Sequence, residues 1–217
     1  LQGAAPDPDF ARALDTYWCT VIDHGLNAST FAARVIASTR SDMVSAITGA
    51  IGALKGPLHG GAPGPALDMV FEIGKPENAE AHLRAMLERG ERLMGFGHRV
   101  YKVRDPRADV LARAAERLFE RAGDRSLYEL ALAVEQVALR VLEEHKPGRN
   151  LQTNVEFYTA LVLHGVGLDS DAFSATFAVG RMGGWIAHVL EQWENNRLIR
   201  PKSEYVGPRG GTWPAGG

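Results

Sequence analysis

Apolar residues recur at helical spacing along most of the chain. Phe10, Leu14, Trp18 and Ile22 follow one another every fourth residue after Pro6-Asp7-Pro8-Asp9, and Gly25 stops them. The pattern predicts a second helix capped by Ser29 and running through Arg40. A third opens at Ser41 or Asp42 and ends at Gly56-Pro57. Ala66 to Ile73 reads as a short helix stopped by Gly74. Pro76 and Glu77 suit a helix start, and Gly90 suits its end. Asp105-Pro106 starts the next helix and Gly123 closes it. Ser126 and Glu129 form a capping-box pattern before the stripe Leu127, Leu130, Val134, Val137 and Val141, which Pro147-Gly148 breaks. Two last helices are expected near Asn154 to His164 and Gly180 to Asn196, followed by an extended tail from Arg197 to Gly217. No segment sustains a period of two, so the expected fold class is all-α.

Two glycine-rich stretches, Gly60 to Pro65 and His164 to Gly167, look like hinges. Residues 63–167 between them would form a small helical domain. Residues 1–62 and 168–217 would join as parts of a larger one.

Composition narrows the class. The 217 residues are 45% hydrophobic and 23% charged, which excludes a disordered or low-complexity chain and allows a sizeable core. Lys+Arg 24 against Asp+Glu 26 leaves a net charge of -2, which argues against a nucleic-acid or membrane-surface protein. No uncharged apolar run approaches the length of a membrane span. The single cysteine, Cys19, excludes an intrachain disulfide and a cysteine-based zinc site. It favours a reducing compartment, the cytoplasm.

Three histidines stand in loops between helices rather than on apolar stripes. His24 lies in Asp23-His24-Gly25, His59 in Gly56-Pro57-Leu58-His59-Gly60-Gly61, and His98 in Gly95-Phe96-Gly97-His98-Arg99. Neighbouring glycines let backbone approach a ligand closely. Any one of them alone reads more simply as a solvated turn histidine, but three together shift the balance. Arg99, Lys102, Arg104 and Arg107 crowd one segment, which suits phosphate or carboxylate binding or else a solvated basic loop. Glu156 opens an otherwise apolar helix and is either a dipole-favoured first-turn acid or a functional carboxylate. Arg181 is flanked by small residues that would let it reach into a cleft. Arg200 lies just beyond the last helix, and both arginines could equally be surface ion-pair residues.

Taken jointly, the strings DHGLNASTF, GPLHGGA, MGFGHRVYKVRDPRA, NVEFY, GRMGGWIAHVLEQ and RLIRPKSEYVGP strongly resemble the citrate synthase family, in its order and over almost the whole chain. The resemblance implies an all-α, two-domain homodimer of the tricarboxylic acid cycle. Its reaction would condense acetyl-CoA with oxaloacetate to citrate and CoA, with no permanently bound cofactor and no metal. By position, His59 resembles the histidine that stabilises the enol of acetyl-CoA. His98 resembles the one that polarises the oxaloacetate carbonyl, and His24 the one that binds oxaloacetate. Arg107, Arg181 and Arg200 resemble the arginines that hold substrate carboxylates, Arg200 from the partner subunit. Lys102 falls where a basic residue near the CoA phosphates is common. Glu156 stands at the catalytic base, where the family's best-known residue is Asp. The extra methylene displaces the carboxylate unless the backbone compensates.

The family's long N-terminal helical segment has no counterpart here, so Leu1 is expected to start partway into the large domain, with the rest lost or carried by a separate chain. The apolar faces near Phe10 to Ile22 and Met43 to Leu54 would then lack cover. Two rival readings stand beside this one. A 2-methylcitrate synthase using propionyl-CoA differs by one methylene, which an apolar pocket discriminates weakly. A non-catalytic CoA-binding or oligomerising relative would keep the fold without the reaction.

Overall fold

The computed structural model describes residues 5, 7–60, 63–97 and 103–211. Nine α-helices occur among them: α1 Pro8–Val21, α2 Ala28–Ser38, α3 Met43–Leu54, α4 Pro63–Ile73, α5 Ala79–Glu88, α6 Pro106–Ala122, α7 Ser126–His145, α8 Val155–Gly165 and α9 Phe173–Glu194. Short 3-10 turns at Pro76–Asn78 and Ser170–Ala172 lead into α5 and α9. The described residues contain no strand, only an isolated antiparallel bridge between Phe96 and Thr153. The all-α expectation is met.

The ends of the helices follow local chemistry. Asp7, Asp42, Asp105 and Asn154 cap α1, α3, α6 and α8 with side-chain oxygens, and left-handed Gly123 (φ 75°) ends α6. Several boundaries differ from the sequence expectation, and α4 begins at Pro63 rather than Ala66, so the last three residues of the expected Gly60–Pro65 hinge are helical. Asn27, not Ser29, caps α2: its Oδ1 accepts the Ser29 and Thr30 amides, both at 3.1 Å, so Ser29 falls inside the first turn. No capping box forms at α7. Asp124 accepts the Ser126 amide at 2.9 Å, and Glu129 faces Arg125 at 3.6 Å instead. Finally, α9 begins at Phe173 rather than near Gly180. Gly180, Gly183 and Gly184 weaken the local helical signal, but packing against α1 holds the turn. A Cβ on Gly180 would stand 2.6 Å from Trp18 Cδ1.

Helices α2, α3 and α9 pack on one another. In a second group α8 packs against α4 and α6, and α5 against α7; α1 touches α6, α8 and α9 and so joins the two groups. One connected cluster of buried apolar side chains runs through both. The contact between α9 and the end of α1 is unusually close. A Cβ on Gly184 would lie 2.2 Å from Ile22 O and 3.2 Å from Asp23 Oδ1. Gly184→Ala is therefore expected to destabilise the fold by about 1–3 kcal/mol, the range for overpacking. A thermal melt reads this, and an unchanged Tm would contradict the close approach.

Part of the apolar surface is open. Val179, Ile186, Leu190 and Trp193 share one face of α9 by their spacing, and Leu190 is 54% exposed. On α3, Val44 is 74% exposed. On the first stripe, Phe10, Leu14 and Trp18 pack partly against the core, and Ile22 past the end of α1 is exposed. Among the described residues no helix is long and apolar enough to cross a membrane.

Candidate active site

His59 is presented by a tight turn after α3. The Gly60 amide donates to Leu54 O at 2.8 Å, and a Cβ on Gly60 would stand 2.6 Å from that oxygen. His59 Nε2 is 2.8 Å from Ser29 Oγ, and Ser29 is fully buried. Trp185 Nε1 donates to the same Oγ at 3.1 Å. The single proton of Ser29 can then go to Asn27 Oδ1, at 2.7 Å, or to His59 Nε2. Asn27 Oδ1 already accepts two backbone amides. With the Ser29 proton on Nε2, the imidazole carries its own proton on Nδ1 and becomes a donor. Burial, and then the Arg181 charge, hold His59 below its usual pKa, so the ring is neutral at pH 7.

Glu156 stands in the first turn of α8, where Asn154 does two jobs. Its Oδ1 accepts the Glu156 amide at 2.9 Å and its Nδ2 donates to Gly97 O at 2.8 Å. Backbone bonds from Asn154 N to Gly95 O (2.9 Å) and from Gly97 N to Gln152 O (2.7 Å) complete a zip between the two segments. Gly95 is required there: its φ is +89° and a Cβ would meet Phe157 Cβ at 2.8 Å. The loop expected to carry His98 thus begins beside Glu156, but His98 and Lys102 themselves lie outside the described residues. Glu156 is half-buried, and loss of solvent pushes its pKa up to about 7 against the pull of Arg107 and Arg181.

The two arginines are held differently. Arg107 donates to Asp105 through Nε (3.0 Å) and Nη2 (2.7 Å), and Asp105 is wholly buried. Arg181 is only 2% exposed. Its Nε donates to Val21 O, its guanidinium lies 4.8 Å from the centre of the Phe177 ring, and its Nη1 is buried with no hydrogen-bond partner. Burial and the Arg107 charge lower its pKa to about 10. An unsatisfied buried donor costs about 1–3 kcal/mol, so this atom calls for an accepting ligand. The charges of Glu156, Arg107 and Arg181 act on one another and on the buried Tyr17 hydroxyl, and Arg181 also acts on His59.

His59, Glu156, Arg107 and Arg181 therefore belong to one electrostatic cluster. His24, half-buried in the turn between α1 and α2, adjoins it through Asp23, whose charge reaches Arg181. Arg200 does not join it. It is exposed in the extended segment after α9, which is tied to α2 by Ile199 N to Ser38 Oγ at 3.1 Å. Tyr17, Ser29, Asp105 and Trp185 complete the site and were not singled out by sequence. Ser29 and Asp105 each sit at a predicted helix start, where a capping role sufficed to explain them.

Two arginine charges acting on a carboxylate of raised pKa, one of them also acting on a neutral imidazole, are a set of groups suited to removing a weakly acidic C–H proton beside a bound anion. Comparison with known proteins shows the family. The family model described as "Citrate synthase, C-terminal domain" matches residues 1–202. Citrate synthase 2 of Bacillus subtilis is 50% identical over 208 residues, 96% of this chain and 54% of that protein. The 2-methylcitrate synthase of Shewanella oneidensis is 41% identical, covering 95% of this chain and 53% of its own length. Among solved structures, citrate synthase of Thermoplasma acidophilum, in a ternary complex with carboxymethyl coenzyme A and oxaloacetate, superposes with a TM-score of 0.89 at 36% identity, over 97% of this chain and 56% of that one. The chain spans about half the length of the curated relatives it matches. Sequence, fold and comparison converge: the chain belongs to the citrate synthase family.

Proposed function

We propose that this chain carries the catalytic half of a citrate synthase, which condenses acetyl-CoA with oxaloacetate. The observation that carries the reading is Glu156, a carboxylate of raised pKa that feels the charges of Arg107 and Arg181, the second of which also acts on the Ser29-bound His59. Glu156 takes a proton from the acetyl methyl group while His59 Nδ1–H stabilises the developing enolate oxygen. The enol carbon attacks the keto carbon of oxaloacetate, and the new alkoxide takes a proton from His98. Water then cleaves the thioester of citryl-CoA, releasing citrate and CoA. Arg107, Arg181 and His24 hold oxaloacetate, and Lys102 meets a CoA phosphate. Acetyl-CoA is a co-substrate and no resident cofactor takes part. The relatives' names and the ligands of the Thermoplasma complex support this assignment.

In this reading residues 63–167 form a small domain that closes on a large domain containing 1–62 and 168–217. The exposed apolar residues of α3 and α9 support a homodimer, in which Arg200 binds an oxaloacetate carboxylate in the partner's site. The protein would act in the cytoplasm, on small molecules rather than nucleic acid or membrane. The test is thiol release from acetyl-CoA by the intact protein with and without oxaloacetate. No oxaloacetate-dependent release would overturn the assignment in favour of a non-catalytic relative. Faster turnover of propionyl-CoA would make it a 2-methylcitrate synthase, the activity named for the Shewanella relative.

The trans role of Arg200 has its own test. Homodimers of Arg200→Ala and of Glu156→Gln should each be nearly inactive. Mixed dimers hold one intact site, so random exchange should restore about a quarter of wild-type activity by the symmetry of a two-fold interface. No recovery despite demonstrated exchange would place Arg200 in its own subunit's site or in none.

A further inference from the structure

We propose that His188 is a positioning residue for His24, acting through Asp23 with its ring proton on Nε2. The inference rests on the reading of His24 as an oxaloacetate ligand.

One face of α9 forms a bed for the turn between α1 and α2. Arg181 Nε donates to Val21 O, and Gly184 lets Ile22 O approach where any Cβ would collide at 2.2 Å. One turn further on, His188 Nε2 lies 3.0 Å from Asp23 Oδ1. Three consecutive residues, Val21 to Asp23, are thus seated by α9 as the chain leaves α1 and enters the turn. The other oxygen of Asp23 accepts the Gly25 amide at 3.1 Å. His24 lies between these two fixed points.

The opposite edge of the ring settles its proton. Arg34 Nη1 is 3.2 Å from His188 Nδ1. A guanidinium has donors only, so Nδ1 must accept. The ring proton is then on Nε2, which donates to Asp23. Arg34 is itself fixed, through Nε to Gln192 Oε1 at 3.2 Å and Nη1 to Glu191 Oε2 at 3.0 Å. The charged groups facing His188 are therefore Arg34 from α2, Asp23 from the turn and Glu191 from α9, the last 3.6 Å from Nδ1. A proton on Nδ1 would displace Arg34 and turn that edge toward Glu191. The interaction is a directional chain, Arg34 to His188 to Asp23, whose end sets the turn that carries His24.

The test compares His188→Ala and His188→Gln in the intact enzyme. Alanine removes both bonds, and the KM for oxaloacetate is expected to rise about tenfold, as loosened positioning does, while kcat and the KM for acetyl-CoA stay within about twofold. Glutamine keeps one acceptor and one donor and should restore the KM for oxaloacetate to within about threefold of wild type. Ring nitrogen and carbon shifts measured by NMR should report the Nε2–H tautomer at His188. An alanine variant that folds with an unchanged KM for oxaloacetate would overturn the proposal. So would equal losses toward both substrates, or an Nδ1–H tautomer. If alanine prevents folding, glutamine and the tautomer decide. A wild type with no oxaloacetate-dependent turnover would instead sink the functional reading. The tautomer, and broadening of the His24 resonances in either variant, would still judge the role of His188.

Discussion

Glu156→Gln is expected to slow oxaloacetate-dependent CoA release by about a thousandfold while making the protein more stable above pH 7. On the proposed role of Glu156, the rate effect is the loss of a positioned general base, worth about 10²–10⁴-fold. Substrate binding should survive, because Gln fills the same space. The stability effect has the opposite sign. Glu156 is raised from 4.5 to about 7 in the folded protein, so folding above pH 4.5 must either take up a proton or hold a desolvated anion. Relative to the glutamine variant, wild-type stability is equal below about pH 4.5, falls between 4.5 and about 7, and levels off above. Allowing for partial solvent screening, the plateau difference is about 2 kcal/mol. In the wild type, kcat/KM should fall with acid below about pH 7, and this limb should vanish from the residual activity of the variant. Paired denaturant titrations at pH 4.5 and pH 8 read the stability term. Retained turnover would show that another group is the base. An unchanged stability gap would show that the carboxylate is not desolvated.

His59→Ala should cost about 10²–10³ in kcat, the scale for removing one donor to a developing oxyanion. Ser29→Ala tests why. It leaves the imidazole in place but removes the proton that Ser29 can give to Nε2, at 2.8 Å. The ring can then protonate on Nε2 and lose its Nδ1 donor. A fall in kcat of about tenfold or more is expected, with the KM for oxaloacetate little changed, because a group outside the substrate then acts only through the donor. Trp185 Nε1 also loses its acceptor, so stability should drop by about 1–3 kcal/mol. A serine variant with full kcat would show that the tautomer of His59 is set elsewhere.

Helix existence was legible almost throughout, because each helix combines a periodic apolar face with a local stop. Gly123 and Asp105-Pro106 bracket α6 as their chemistry dictates. What failed was local in origin and tertiary in cause. The start of α9 was hidden because its glycines, poor helix formers in isolation, are there to let α1 approach. Ser29 carried a capping signature and was used for a hydrogen bond to a histidine 30 positions away, a contact no local pattern contains. The candidate site residues were picked out through motif order rather than physics. Glu156 was visible as a carboxylate in an apolar helix, but its raised pKa depends on burial that only the packed helices create. His188 gave no signal at all, since its meaning lies in Arg34 and Asp23.

The bed that α9 provides for the α1–α2 turn also dictates when that turn can form. Val21 and Arg181 are 160 positions apart, and Asp23 and His188 are 165 apart. Closing a loop of that length is entropically unfavourable until many contacts form together. During synthesis, the residues around His24 leave the ribosome long before the helix that seats them. They must wait with their polar groups in water. The turn should therefore be among the last parts to gain protection against amide hydrogen exchange during refolding, well after the neighbouring turns of α2. Since α9 also supplies Arg181, a chain caught before that helix docks would have neither the seated histidine nor the buried guanidinium. The cluster around Arg181 would then assemble in one step, late, as a marker that α1 and α9 have met.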